Sequence, residues 1–131
     1  MITLSDSSTT ITLSDDLFWS DEAQYSAVQQ TVEYSITGAL LVSSSTKLAG
    51  RPITLGPETE SSAWMSRSVL DALLAYAAVA GKTMTLSLRG VDYDVMFRHQ
   101  DAPAIDARPV VHFNDVDPDD NYLITIKLME I

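Results

Sequence analysis

Ser68-Val-Leu-Asp-Ala-Leu-Leu-Ala-Tyr-Ala-Ala-Val79 is closed by Gly81 and runs into Thr83-Met-Thr-Leu-Ser-Leu88, the pair Arg89-Gly90 and Val91-Asp-Tyr-Asp-Val-Met-Phe97. In the first part Leu70, Leu73, Leu74, Ala77 and Ala78 fall at i, i+3, i+4, i+7 and i+8, the apolar stripe of a helix over about residues 67–80. Ser68 and Asp71 have the spacing of a capping box, and Gly81 fits a helix stop. The next parts alternate apolar and polar residues around a two-residue turn whose glycine supplies positive φ, the pattern of a β-hairpin. Val91, Tyr93, Val95 and Phe97 share one face of its second strand, opposite Asp92, Asp94, Met96 and Arg98. Asn121-Tyr-Leu-Ile-Thr-Ile-Lys-Leu128 repeats the alternation and closes the sheet. The expectation is a single α+β, mainly β domain over residues 1–131: an antiparallel β-barrel or sandwich of about eight strands with one packed helix.

Working outward, Ile2-Thr-Leu-Ser-Asp6 and Ile11-Thr-Leu-Ser-Asp15 flank a Ser/Thr-rich turn and read as an N-terminal β-hairpin arm over residues 1–20. Phe18 and Trp19 follow as an apolar anchor. Residues 28–131 then form the body. Val32, Tyr34 and Ile36 alternate with polar neighbours as in a half-buried strand, with Gly38 a bulge or bend and Ser43-Ser-Ser-Thr46 a polar turn. Tyr34 and Tyr93 take core positions on this reading. Pro52 starts another strand and Gly56-Pro57 ends it. Residues 58–63 are a loop leading to Trp64, and residues 100–108 a second loop. Pro109-Val-Val-His-Phe113 is a short strand before the acidic turn 114–121.

The chain has 18 acidic and 8 basic residues, a formal net charge of −10, and no cysteine. No Lys or Arg precedes Lys47, whereas Asp6, Asp15, Asp16, Asp21, Glu22 and Glu33 do. Such a chain is a poor nucleic-acid binder, because phosphate neutralisation needs clustered Lys or Arg. Lack of cysteine excludes thiolate catalysis, disulfides and Cys-based zinc sites. The longest uncharged apolar run is about half a bilayer span. The N-terminus has neither a basic n-region nor a cleavage site, so no secretory signal is expected.

Little points to catalysis. Asp115, Asp117, Asp119 and Asp120 offer oxygen ligands for a hard cation, but the glycine and distal glutamate of an EF-hand loop are missing and Pro118 interrupts the run. His99 and His112 lack zinc-protease spacing. A small hydrolase would need one of them beside an acid and a nucleophile, and no Gly-x-Ser-x-Gly elbow is present. Asp92 and Asp94 are explained by alternation on an exposed strand face. No catalytic, metal-binding or cofactor-binding residue is assigned, and no cofactor or enzymatic activity is expected. Phe18, Trp19 and Trp64, in or beside loops, are candidates for an exposed apolar contact surface.

Ala49-Gly-Arg-Pro-Ile-Thr-Leu55, Trp64, the Leu-rich helix, Leu86-Ser-Leu-Arg-Gly-Val-Asp-Tyr-Asp-Val-Met-Phe-Arg98 and Tyr122-Leu-Ile-Thr-Ile-Lys-Leu128 together resemble the distal tail proteins of long-tailed phages, including short tail-tip proteins of lambda-like phages. The likeness covers about residues 28–131. It implies a non-enzymatic virion structural protein, assembled in the host cytoplasm into a hexameric ring at the tail tip or baseplate. Such a ring would join the tail tube to the hub, contact tape-measure and hub proteins, and let DNA pass without specific binding or any membrane. Phe18, Trp19, Arg51, Trp64 and Arg98 are the expected contact residues. The alternatives are a carbohydrate- or receptor-binding β-sandwich module and another tail ring such as a tail terminator. An acidic first third against a more basic remainder suits head-to-tail contact between copies.

Overall fold

In the computed structural model, which describes residues 1–111 and 114–131, the alternating segments form eleven strands. They are Ile2–Ser5 (β1), Thr10–Leu13 (β2), Phe18–Trp19 (β3), Val28–Tyr34 (β4), Leu40–Thr46 (β5), Pro52–Gly56 (β6), Trp64–Ser66 (β7), Thr83–Leu88 (β8), Val91–Phe97 (β9), Ile105–Pro109 (β10) and Asn121–Glu130 (β11). Helix α1 spans Arg67–Ala77, and His99–Asp101 is a single 3-10 turn. The main sheet has the order β2-β1-β8-β9-β11-β6-β3, with β7 and β10 flanking the first half of β11. Every pairing is antiparallel. The mainly β fold with one helix is therefore as expected, but the barrel is open: among the described residues no ladder joins β2 to β3.

The decisive stretch folds as its pattern dictates. Leu88 pairs with Val91 across Arg89 and Gly90, whose φ values of 54° and 75° are both left-handed, as a two-residue hairpin turn with the native strand twist requires. Met84, Leu86 and Leu88 of β8 and Val95 and Phe97 of β9 turn into the core. There they meet Ile124, Ile126 and Leu128 of β11 and Ile53 and Leu55 of β6. Helix α1 lies against β2, β7, β10 and β11 and buries Leu70, Leu73 and Tyr76. Burying one such side chain contributes roughly 1.5–3 kcal/mol.

Three helix details differ from expectation. The N-cap is Ser66, and its side chain makes no capping bond. No capping box forms, because the acidic turn satisfies the first amides: Arg67 N–H donates to the Asp120 carbonyl (2.8 Å) and Ser68 N–H to that of Pro118 (3.2 Å). The helix also ends at Ala77, before Gly81, and Leu74 is exposed while Tyr76 takes its place in the core. The strand expected at Pro109–Phe113 lies earlier, at Ile105–Pro109, within what reads as a loop. Ile105 and Ala107 pack on the core while Asp106 and Arg108 point outward. His112 and Phe113 lie outside the described residues.

The N-terminal hairpin exists, but not as an arm. Thr3, Leu4 and Ser5 pair with Ser87, Leu86 and Thr85 of β8, and Ile2, Leu4, Ile11 and Leu13 are all buried. Its turn is also tied down. The Asp6 carboxylate accepts from the Ser8 and Thr9 amides (2.8 and 2.7 Å) and from Lys82 Nζ (2.7 Å), and the Tyr76 hydroxyl donates to the Thr9 carbonyl. Lys82 and these amides hold the Asp6 carboxyl far below the usual carboxylate range.

Candidate assembly interface

The true arm is Val28–Thr46. β4 and β5 form a separate two-stranded sheet in which every residue is exposed. The register reverses around Gly38, at φ 82°, which lets the Ser35 amide donate to the Ala39 carbonyl (2.8 Å). Ser35 Oγ accepts from the Ala39 amide (3.0 Å) and lies 3.0 Å from the Thr37 hydroxyl. Gly38 is thus the pivot of a reversal rather than a bulge, and Ser43–Thr46 is strand rather than turn. Tyr34, expected in the core, is 75% exposed, and Ile36 at the tip is entirely exposed. Among the described residues, the hydrogen bonds of this segment stay within residues 26–47, closing at its base where Lys47 N–H donates to the Ala27 carbonyl (2.8 Å).

The hairpin is amphipathic. Directly opposed residues share a face, so Val32 with Val42 and Tyr34 with Leu40 form one apolar patch, which the polar pair Gln30 and Ser44 separates from Val28 at the base. The other face carries Gln29, Thr31, Glu33, Ser43 and Ser45, with Leu41 its only apolar member. Glu33 is the sole charged residue between Val28 and Thr46, and there is no proline. Free strand edges are normally guarded by lysines, prolines or inward charges. This hairpin has none of these guards, and a two-stranded hairpin packed on nothing is marginal in water.

The base of the arm is held by a hydrogen-bonded, charged network. After β3 the chain turns through Asp21, whose carboxylate accepts from the Thr54 amide (3.0 Å) and hydroxyl (2.9 Å). Arg98 donates to Thr54 Oγ1 (2.7 Å) and lies 3.7 Å from Asp21 and 3.4 Å from Asp101, which in turn sits 3.6 Å from Lys127 Nζ. Trp19 packs edge-to-face on Tyr93 at 5.8 Å, and the Arg51 guanidinium covers its indole at 4.7 Å. Arg51 also reaches the Glu22 carbonyl, and Arg89 pairs with the Glu22 carboxylate.

The expected contact residues therefore divide. Trp19 is only 4% exposed and belongs to the core. The Arg98 side chain is 13% exposed and consumed in the network under the arm, and half-buried Arg51 serves as the lid of Trp19. These three secure the base rather than present a surface. Phe18 (51%) on the β3 edge and Trp64 (46%) on β7 are exposed. The Trp64 indole donates to the Glu60 carbonyl (2.9 Å), leaving its ring at a groove of about 290 Å³ shared with Val110, Val111 and Val116. The hairpin surface was missed because its apolar alternation is identical to that of a buried strand. Its lack of charge was the one available signal.

Among the described residues no group of three or more His, Asp or Glu side chains is placed to hold a metal ion. The acidic turn instead caps α1, with the Asp117 amide donating to Asp120 Oδ2 (2.8 Å). No described helix is long and apolar enough to cross a membrane. No protein-family model, curated protein or solved structure matches the chain.

Proposed function

We propose that this chain is a non-enzymatic structural protein of a long-tailed phage, a ring-forming distal tail component that joins the tail tube to the hub around the DNA channel. One observation carries the assembly part of this reading: the amphipathic β4–β5 arm exposes its apolar face with nothing among the described residues to cover it. Large exposed apolar patches mark protein contacts. The phage setting rests on the resemblance of the Gly50–Leu55, Leu86–Arg98 and Tyr122–Leu128 segments to distal tail proteins. On this reading the tube, tape-measure and hub proteins are neighbours, DNA passes without specific contact, and the acidic chain repels it. The carbohydrate-binding alternative predicts exposed aromatics clustered around Trp19 and Trp64. With Trp19 buried, it loses half of that platform.

Light scattering of the purified 14.3 kDa chain, with immunogold labelling of phage tails, tests the proposal. The expected results are an oligomer of fixed size and label at the tail tip. A monomer at every concentration, absent from virions, would overturn it.

A further inference from the structure

We infer that the β4–β5 arm swings as one piece on a double hinge, residues 25–27 and 47–49, so that the fold of the body leaves its direction free. The hinge belongs to the single chain, whatever the arm meets. Before β4 the last ties to the body are Asp21 to Thr54, and Glu22 to Arg51 and Arg89. After β5 the first tie is Gly50, whose amide donates to the Glu130 carbonyl (2.7 Å). Among the described residues, 25–27 and 47–49 make no hydrogen bond to the body between these anchors. The Ser26 hydroxyl donates to the Val28 carbonyl (3.0 Å) and the Lys47 amide to the Ala27 carbonyl, while Lys47 Nζ lies over the Tyr25 ring at 5.0 Å. Leu48 is 97% exposed. Among the described residues, no apolar side chain from 25 to 49 joins or packs against the main core.

The arm between the linkers is closed at both ends. Its strands pair at seven positions, from Val28 with Thr46 to Tyr34 with Leu40, and the Ser35–Ala39 reversal seals the tip. Bending therefore concentrates in the linkers, as hinge motion does in a few residues at element ends. The linkers run side by side and are joined at Lys47 and Ala27, so sideways deflection would stretch one of them. The arm accordingly swings across its two faces, as a flap does, and not in every direction. At about 3.4 Å per residue Ser35 lies roughly 27 Å from Ala27, and a swing of about 20° carries the tip roughly 9 Å. The patch of Val32, Tyr34, Leu40 and Val42 rides in the moving half, so the hinge decides where that patch is presented. The first hairpin has no such freedom, because β1 is held by β2 on one side and β8 on the other.

The chain has no cysteine, so pairs of nitroxide spin labels read the arm's direction as distance distributions in the frozen dilute monomer. Ile36→Cys at the tip, Gln29→Cys near the base and Thr12→Cys on β2 all replace exposed residues. Dilution of labelled into unlabelled chain removes distances between copies. The tip-to-body pair, 36 with 12, is expected to give a distribution about threefold broader than the pair within the arm, 36 with 29. A tip-to-body distribution as narrow as the one within the arm would mean an arm fixed to the body. That result would overturn the hinge and leave the assembly reading standing. A broad distribution for both pairs would mean a hairpin that frays instead of swinging, and would overturn it as well.

Discussion

Two hairpins of this chain exchange the roles that their sequences imply. β1–β2 opens the chain with a Ser/Thr-rich turn and looks like a loose arm, yet Leu4 is 0% exposed and β1 is an inner strand of the main sheet. β4–β5 alternates Val32, Tyr34 and polar neighbours like a body strand, yet every residue of both strands is exposed. What separates them is long-range. Asp6 meets Lys82 and Thr9 meets Tyr76, whereas, among the described residues, Ser35, Thr37 and Ala39 bond only within the reversal they form with Gly38. Alternation states that a face will be covered. It does not state whether the cover comes from the same chain.

The contrast can be broken in order of expected effect. Leu4→Ala should destabilise the fold by about 2–5 kcal/mol in urea titration, because the body cannot refill that volume. A loss below about 1 kcal/mol would mean that the first hairpin is an appendage after all. Asp21→Ala at the root of the arm removes the acceptor for the Thr54 amide and hydroxyl and one partner of Arg98. It should cost about 1–3 kcal/mol, measured the same way.

Acid should weaken the tie that holds the first hairpin's turn. Folding lowers the Asp6 pKa from its ordinary 3.8, chiefly through Lys82 and then the Ser8 and Thr9 amides. The folded chain thus binds that proton more weakly than the unfolded one. Its stabilising contribution is whole above the ordinary value and declines as the pH falls below it. Asp6→Asn should flatten this acid limb of a stability–pH curve, and an unchanged limb would remove Asp6 from the account. The smallest effect belongs to Val42→Ala, which should change the stability of the dilute monomer by less than about 0.5 kcal/mol while weakening assembly in light scattering. A monomer destabilised as much as by Leu4→Ala would place Val42 in a core.

Much of the body was legible. The β8–β9 hairpin, β11 and the apolar stripe of α1 follow from local alternation and from Arg89-Gly90, since their partners are close in sequence or their patterns long. The start of β6 was legible from Pro52 itself, which has no amide to donate inside a ladder and so marks a strand end. The β10 register was not, because Pro103 and Pro109 frame a segment that looks like loop and its partner, β11, supplies the order. The sequence marks Trp19, Arg51 and Arg98 as surface contacts, yet Trp19 is buried and both arginines are at least half-buried. Nothing local shows that Arg98 folds back onto Thr54 and Asp21, or that Arg51 covers an indole. Phe18 and Trp64 were placed at the surface, as a bulky aromatic at a loop or strand edge often is. Ile36 and Tyr34 reach solvent because the chain reverses at Gly38, a choice between bend and full turn that alternation alone leaves open.

Hydrogen exchange measured at low and high protein concentration tests the central claim most directly, since it reads both hairpins in one sample. If β4–β5 is an arm covered on assembly, amides at Thr31–Glu33 and Leu41–Ser43 should gain protection of at least about tenfold as the chain assembles. Amides of Thr3–Ser5 should already be protected in the dilute monomer and change little. Fast exchange in β4–β5 at every concentration, with assembly proceeding all the same, would contradict the claim.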